Sequence, residues 1–525
     1  MHCSLETNLR FFPFIPGKRI SIPGTSGKRC GWKALMAGSS AFNFTKVRNF
    51  SKVLHPSFPF EILVLQKQIT NMSFLNFRNG LIVYTVFAAF FLAGISINIC
   101  SAQSINKERL DSLFTAIMSN HKGMYSIAVS KNDTIIYTCS TGYSLISKEE
   151  KIHSTIDTKY KIGSISKLFT ATMILELVEE GKLSLTDTLK KFFPRLPNAD
   201  KITITHLLQH RSGLFDFTED TAFYDWMDQP KTQEEMLSLI ASKPPEFAPD
   251  EKFAYSNTNY NLLAYIIEKI CHQSYKDALR DRITARLGLE NTYSTTKIDV
   301  KNKESYSYFF TGNHAAKMKE SDGSVFVGSG SVVATPSDLN KFIDALFACK
   351  LVNKNSLELM KTMKDDYGMG MFTFLFYNKL GYGHTGQIDG FVSTLEYFPE
   401  DHFTVALCTN GTVTAISEVM STVLKICYNK PYTISNHKTI NVSPEELNKY
   451  LGIYYNKGLE MHITISKHDS TLINQATGQI PIPMEAIAKD DFKNFDYGIE
   501  LLFETDAASF LLKQEGVFVR FTREK

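Results

Sequence analysis

The spacing of apolar positions changes several times along the chain, and each change predicts an element. Leu110, Leu113, Phe114 and Ile117 fall on one stripe and predict an amphipathic helix over 105–118. Two alternating segments, MYSIAVS and TIIYTCS, flank Lys131-Asn132-Asp133 and predict a hairpin. Helical spacing returns over 164–180, with Leu168, Ala171, Ile174, Leu175 and Val178 on the buried side and Gly181 as the stop. Further helices are predicted over 204–209, 260–271 and 337–349, the last opened by Thr335-Pro336-Ser337. The phrases YGMGMFTFLFY, LGYGHTG, GFVSTLEYFP and FTVALCTN then read as consecutive strands, with a closing helix over 415–426. Helices enclosed between an early hairpin and late strands predict an α/β (α+β) fold, an antiparallel sheet flanked by helices. After a boundary at 435–442, MHITISK, STLINQAT, GIELLFET, ASFLLKQ and VFVRFTR predict a small all-β domain, a barrel or sandwich, over 435–525.

Charge separates a leader from this body. Residues 1–102 hold 11 Lys/Arg against 2 Asp/Glu, which leaves 46 against 52, a net of −6, for the rest. The folded part therefore offers nucleic acid no basic surface, and that class of partner is excluded. Within the leader, 72–102 reads as a signal peptide: Arg78, an apolar run over 81–97, and a small-x-small site at Cys100-Ser101-Ala102. Cleavage near Ala102 predicts a periplasmic or secreted protein beginning at Gln103; retention of the segment predicts a membrane-anchored one. Residues 1–71 show neither period and read as an unstructured or mis-assigned leader. The later cysteines, Cys139, Cys271, Cys349, Cys408 and Cys427, are odd in number and lack paired spacing; most lie in apolar runs and read as small core residues.

The chemistry-bearing residues come in three groups. In Gly163-Ser164-Ile165-Ser166-Lys167, Ser164 and Lys167 stand three apart at a helix start and share a face. A serine hydroxyl needs a neighbouring base to attack, and a lysine serves once burial lowers its pKa. Tyr255-Ser256-Asn257 lies in a turn before the next helix, and His384-Thr385-Gly386 opens a strand among Gly381, Gly383 and Gly390. Other constellations are weaker. His206 and His210 are four apart, but Leu207 stands where a zinc-protease helix carries Glu. No G-x-S-x-G elbow is present, and Asp389 reads as a turn residue.

With S-x-x-K, Tyr-x-Asn and His-Thr-Gly in this order, the chain resembles the serine β-lactamase and penicillin-binding-protein superfamily, in its class C, D-Ala-D-Ala carboxypeptidase and esterase branch. LLQHRSGL, EFAPDEKFAYSNTNYNLLAYIIEK, GSGSVVATPSDLNKF and GYGHTGQIDGF carry the resemblance across 105–430. It implies a β-lactamase/transpeptidase-like domain over 103–434 and a reaction without metal or cofactor. It further implies an acyl ester on Ser164, Lys167 as proton acceptor and Tyr255 as proton shuttle. Asn257, His384, Thr385, Gly386 and Gln387 would contact substrate, with the backbone N–H groups of Ser164 and Gln387 as oxyanion hole. His384 replaces the family's lysine, and a neutral imidazole there disfavours a substrate carboxylate. Substrates left open are D-amino-acid peptides such as cell-wall peptides, esters and β-lactams; the alternative is a non-catalytic sensor of cell-wall fragments or penicillins with the same fold.

Overall fold

The computed structural model describes residues 105–524 apart from 120–122, 312–313, 413, 434–439, 460, 478, 480, 495–497 and 515–516. The expectations for 1–71 and for the signal segment 72–102 lie outside the described residues. No helix among the described residues is long and apolar enough to cross a membrane.

A first helix, α1 (Lys107–Ser119), leads into the hairpin β1 (Gly123–Lys131) and β2 (Thr134–Ser140). Asn132 and Asp133 turn it with φ of 51° and 59°, the paired left-handed conformation that two-residue hairpins favour. Later in the chain come β3 (Phe372–Phe376), β4 (Lys379–Ile388), β5 (Phe391–Phe398) and β6 (Phe403–Thr412). All six join one antiparallel sheet in the order β3-β4-β5-β6-β1-β2. The early hairpin closes onto the last strand of the late meander, β1 pairing with β6 from Gly123↔Thr412 to Lys131↔Phe403.

Alternation decides which layer each strand residue joins. Tyr125, Ile127 and Val129 of β1, with Val405 and Leu407 of β6, pack under α1 and a closing helix, Ile416–Cys427. Ala406 and Cys408 of β6 and Leu395 of β5 point to the other face, into a larger core that includes three long helices. These are α2 (Ser166–Glu179), α3 (Asn257–Cys271) and α4 (Pro336–Phe347). Both faces of the central strands are covered, which is why every residue of β1 but the last is buried. On the helical face the sheet is tied by polar contacts as well: Asn340 of α4 donates to Ser130 at 2.9 Å, and Ser126 meets the Tyr160 hydroxyl at 2.7 Å.

Several boundaries differ from the sequence expectation for local reasons. The helix expected over 164–180 begins at Ser166, because Gly163–Ile165 forms a 3₁₀ turn, so Ser164 sits in that turn. Its C-terminus falls where Gly181 (φ 69°) adopts the left-handed stop. α3 starts three residues early, placing Asn257 in its first turn and not in a loop before it. Cys349 lies past the end of α4 and is exposed, so it is not a core residue; Cys408 and Cys427 are.

The C-terminal strands close into an eight-stranded antiparallel barrel: Gly452–Asn456, Met461–His468, Thr471–Ala476, Ile482–Ala488, Asp491–Asn494, Ile499–Phe503, Ser509–Gln514 and Val517–Arg523. Gly452–Asn456, Ile482–Ala488 and Asp491–Asn494 were not among the strands read from the sequence; the second carries Pro483 and the third is four residues long. Leu447 and Tyr450, from a short helical segment before the barrel, join its core. Barrel and sheet-helix layers belong to one compact unit.

Leu407 is fully buried on the central strand β6, whereas Leu375 on edge strand β3 is 77% exposed. Leu407→Ala is expected to lower the unfolding free energy by about 2–5 kcal/mol. Leu375→Ala should change it by no more than about 0.5 kcal/mol, both read by chemical denaturation.

Candidate active site

The turn that carries Ser164 is pressed against strand β4. Gly163 has φ 51°, and a side chain there would meet the Gln387 backbone nitrogen at 2.6 Å. From the other side, a side chain at Gly386 would meet the Ile162 carbonyl at 1.9 Å. Two glycines therefore allow two backbones to touch, and this brings Gln387 beside Ser164. The approach is pinned from both ends. Ser393 of β5 donates to the Ile162 carbonyl at 2.8 Å. Lys161, buried just before the turn, donates to the Ser321 carbonyl at 2.8 Å and pairs with Asp389 at 3.3 Å and Glu320 at 3.4 Å. Asp389 sits at the β4–β5 turn with φ 53°, which agrees with its reading as a turn residue.

Lys167 projects from the first turn of α2 and is fully buried. Its Nζ lies 3.0 Å from Ser164 Oγ, 2.8 Å from Asn257 Oδ1 and 3.0 Å from the Ser329 carbonyl. Burial pushes its pKa down to about 7, against a smaller opposing pull from Asp216. Three contacts match three tetrahedral positions of a neutral amine. In the neutral form two hydrogens go to the carbonyl oxygens of Asn257 and Ser329, neither of which can donate, which leaves the lone pair for the serine hydroxyl; in the charged form the third hydrogen is donated to Ser164 Oγ. The Ser329 carbonyl is itself held in place by α3: Asn261 accepts from Ser329 Oγ at 2.6 Å and donates to the Val325 carbonyl at 2.7 Å.

Tyr255 lies against the amine, its ring centroid 4.8 Å from Lys167 Nζ. Burial raises its pKa well above the ordinary phenol value, so it stands as a protonated phenol. His210 stacks on Tyr255 with ring centroids 4.2 Å apart, and its Nδ1 accepts from the Ser256 backbone N–H at 3.0 Å. Residues Tyr260 and Tyr367 enclose the same imidazole at 5.1 and 4.7 Å. His206 makes a separate contact, its Nδ1 accepting from the Thr203 backbone as part of a helix cap.

His384 is buried on β4, its Nε2 3.2 Å from the Tyr367 hydroxyl and its ring 4.7 Å from Phe372. Burial pushes its pKa down to about 3, so the imidazole is neutral. Thr385 is exposed, Gly386 is buried against Ile162, and Gln387 is half-buried. The structure thus gathers Ser164, Tyr255 and Asn257 around the Lys167 amine and sets His384 beside Tyr255, their ring centroids 6.3 Å apart. Asn257 is occupied on both sides of its carboxamide, since its Nδ2 faces Asp216 at 3.3 Å and Thr218 at 3.4 Å. Sequence reading missed Asp216, Tyr367, Asn261 and Ser329, and gave His210 no place in the site. A run of polar residues in HRSGLFDF and a buried-helix Asn in NYNLL were the only signals available.

Comparison with known proteins follows the same lines. Residues 110–423 match the family described as Beta-lactamase. Over 447 residues the chain is 24% identical to Penicillin-binding protein 4* of Bacillus subtilis (strain 168), covering 78% of this chain and 97% of that protein. It is 26% identical over 316 residues to the Teichoic acid D-alanine hydrolase of Staphylococcus aureus, covering 58% and 75%. The D-amino acid amidase of Ochrobactrum anthropi SV3 superposes with a TM-score of 0.54 at 26% identity, over 61% of this chain and 99% of that one. An octameric penicillin-binding protein homologue from Pyrococcus abyssi shares the fold over 80% of this chain and 100% of its own, with a TM-score of 0.55 at 23% identity.

A base with this pKa sets a pH dependence. Below about 7 the Lys167 amine holds a third hydrogen and cannot accept the serine proton; above it the lone pair is free. Modification of Ser164 by a fluorophosphonate, followed by intact mass, is expected to slow about tenfold per pH unit below 7 and level off above it.

Proposed function

Because the chain belongs to the Beta-lactamase family and is a serine hydrolase of that kind, we propose that it hydrolyses D-aminoacyl esters or amides through an acyl ester on Ser164. The observation that carries this reading is the buried Lys167 amine, set between two carbonyl acceptors and 3.0 Å from Ser164 Oγ. In this reading Ser164 Oγ attacks the substrate carbonyl carbon as its proton passes to Lys167 Nζ. The oxygen's new charge falls to the backbone N–H groups of Ser164 and Gln387, and donors fixed in this way typically contribute about 3 kcal/mol each. The Tyr255 phenol gives its proton to the leaving group and recovers one from Lys167. Water then repeats the sequence on the acyl ester, and Ser164 leaves as the alcohol.

The substrate class follows from charge around the site and from the relatives. A leaving group ending in a carboxylate needs a cation, and three nearby residues decline that role. Lys161 is ion-paired, Lys167 is enclosed, and His384 is neutral. That favours acyl groups whose leaving side is uncharged: an amide, or an ester such as a polymer alcohol. Two relatives are named for work on D-alanine or D-amino acid amides, and the D-configuration is taken from them. Export, with a mature N-terminus at Gln103, places such an enzyme where D-alanyl cell-wall polymers and peptides lie; N-terminal sequencing of secreted protein tests that part.

Hydrolysis of D-alanine amide and a D-alanyl ester is expected to exceed that of a peptide ending in D-alanyl-D-alanine by about 100-fold in kcat/KM, roughly 2.7 kcal/mol. Ser164→Ala and Lys167→Ala should each lower turnover by several orders of magnitude with the fold intact. Equal rates on carboxylate-ended and amide-ended substrates would remove the charge argument. A folded protein whose Ser164 never takes up acyl groups would instead be a binding protein.

A further inference from the structure

We propose that Asp216 is a positioning residue: its carboxylate locks the Asn257 carboxamide with the oxygen toward Lys167, making Asn257 part of the proton-accepting apparatus. The inference rests on the reading of Ser164 and Lys167 given above and adds to it a group that no sequence motif marks.

Asp216 is 4% exposed and lies in the stretch that follows Gly213, against the first turn of α3. One carboxylate oxygen accepts from the Asn257 backbone N–H at 3.1 Å and from Asn257 Nδ2 at 3.3 Å. The other accepts from the Thr218 backbone N–H at 3.2 Å. Burial raises the pKa of this carboxyl above its ordinary value, while the N–H donors of Asn257 and Thr218, the nearby Lys167 and the positive end of a 15-residue helix oppose the rise and support the ionised form. A carboxylate can only accept, so it must face the NH₂ of Asn257, and the carboxamide oxygen then has one direction left. That direction is Lys167 Nζ, 2.8 Å away.

Two consequences follow. The amine keeps an acceptor for one of its hydrogens whatever its protonation state, which fixes the direction of the lone pair at Ser164. A negative charge also stands two hydrogen bonds from Lys167 and supports the protonated amine, opposing burial. The other groups facing the amine are uncharged: the rings of Tyr255 and Tyr260 at 4.8 and 5.6 Å, and, more distantly, the neutral imidazoles of His210 and His384. Asp216 is thus the charged partner that partly offsets burial in fixing where Lys167 titrates. Asn257 Nδ2, held by Asp216 and Thr218, serves this lock before it serves a substrate amide.

The test uses the purified full chain and the pH dependence of fluorophosphonate labelling at Ser164. Asp216→Asn should move the acid limb down by about one pH unit, since a supporting charge is lost, and should also slow the plateau. Added to Asn257→Ala, it should cost no further plateau rate, because its effect on orientation runs through that side chain. Asp216→Glu, which keeps the charge but displaces it, should hold the limb in place while slowing the plateau, and it carries the test if the Asn variant does not fold. An unmoved limb in Asp216→Asn, additive losses with Asn257→Ala, or wild-type labelling in Asp216→Glu would each overturn the proposal. Wild type that labels at Ser164 beside an unmoved limb leaves the hydrolase reading standing. Wild type that never labels at any pH removes both.

Discussion

A lysine amine enclosed by protein is costly as a cation and must either pair with an anion or lose a proton. At Lys167 burial lowers the pKa to about 7, so the proton is readily lost. Its nearest neighbours are a hydroxyl, two carbonyl oxygens and two aromatic rings, and the carboxylate of Asp216 reaches it through a carboxamide. Everything else about the site can be read as support for that amine. α2 supplies it one turn from Ser164, α3 supplies Asn257 and, through Asn261, the Ser329 carbonyl. The same desolvation keeps Tyr255 a phenol and His384 a neutral imidazole, so one dry environment sets three protonation states in the sense that acyl transfer needs.

The sheet is what makes that environment possible. Ser164 and Gln387 are more than 220 residues apart, and their backbones meet because β4 lies flat against the turn at Gly163 and Gly386. β4 is in turn held by β5 and β6, whose outer faces rest on the α1 layer and whose inner faces rest on the α2–α3–α4 core. A site of this kind is assembled by tertiary contact and owes little to any one loop.

This explains what was legible in the sequence. Ser164 and Lys167 could be read because a helix start puts residues three apart on one face, a local relation. The late strands and the β1–β2 hairpin could be read because their alternation is set by two covered faces and by a turn with Asn and Asp in left-handed conformations. Asp216, His210 and Tyr367 could not: each touches the site through a neighbour that is distant in sequence, and their own surroundings in HRSGLFDF and KDDYGMG show no periodic signal. The roles of Asn257 and His384 were only half legible. Motif position brought both to the site, but the partners that occupy Asn257 and the burial that neutralises His384 are properties of the packed molecule. In the barrel, five strands with ordinary alternation were visible, and those broken by Pro483 or by brevity were among the ones that were not.

The central claim concerns one proton, and it can be observed without any substrate. Lysine labelled with ¹³C at Cε would be followed by NMR across pH in the wild type, with Lys167→Arg used to assign the resonance. The account predicts that the Lys167 signal titrates near 7, far below the surface lysines. A Lys167 that titrates with the surface lysines, and is therefore a cation at neutral pH, would contradict it.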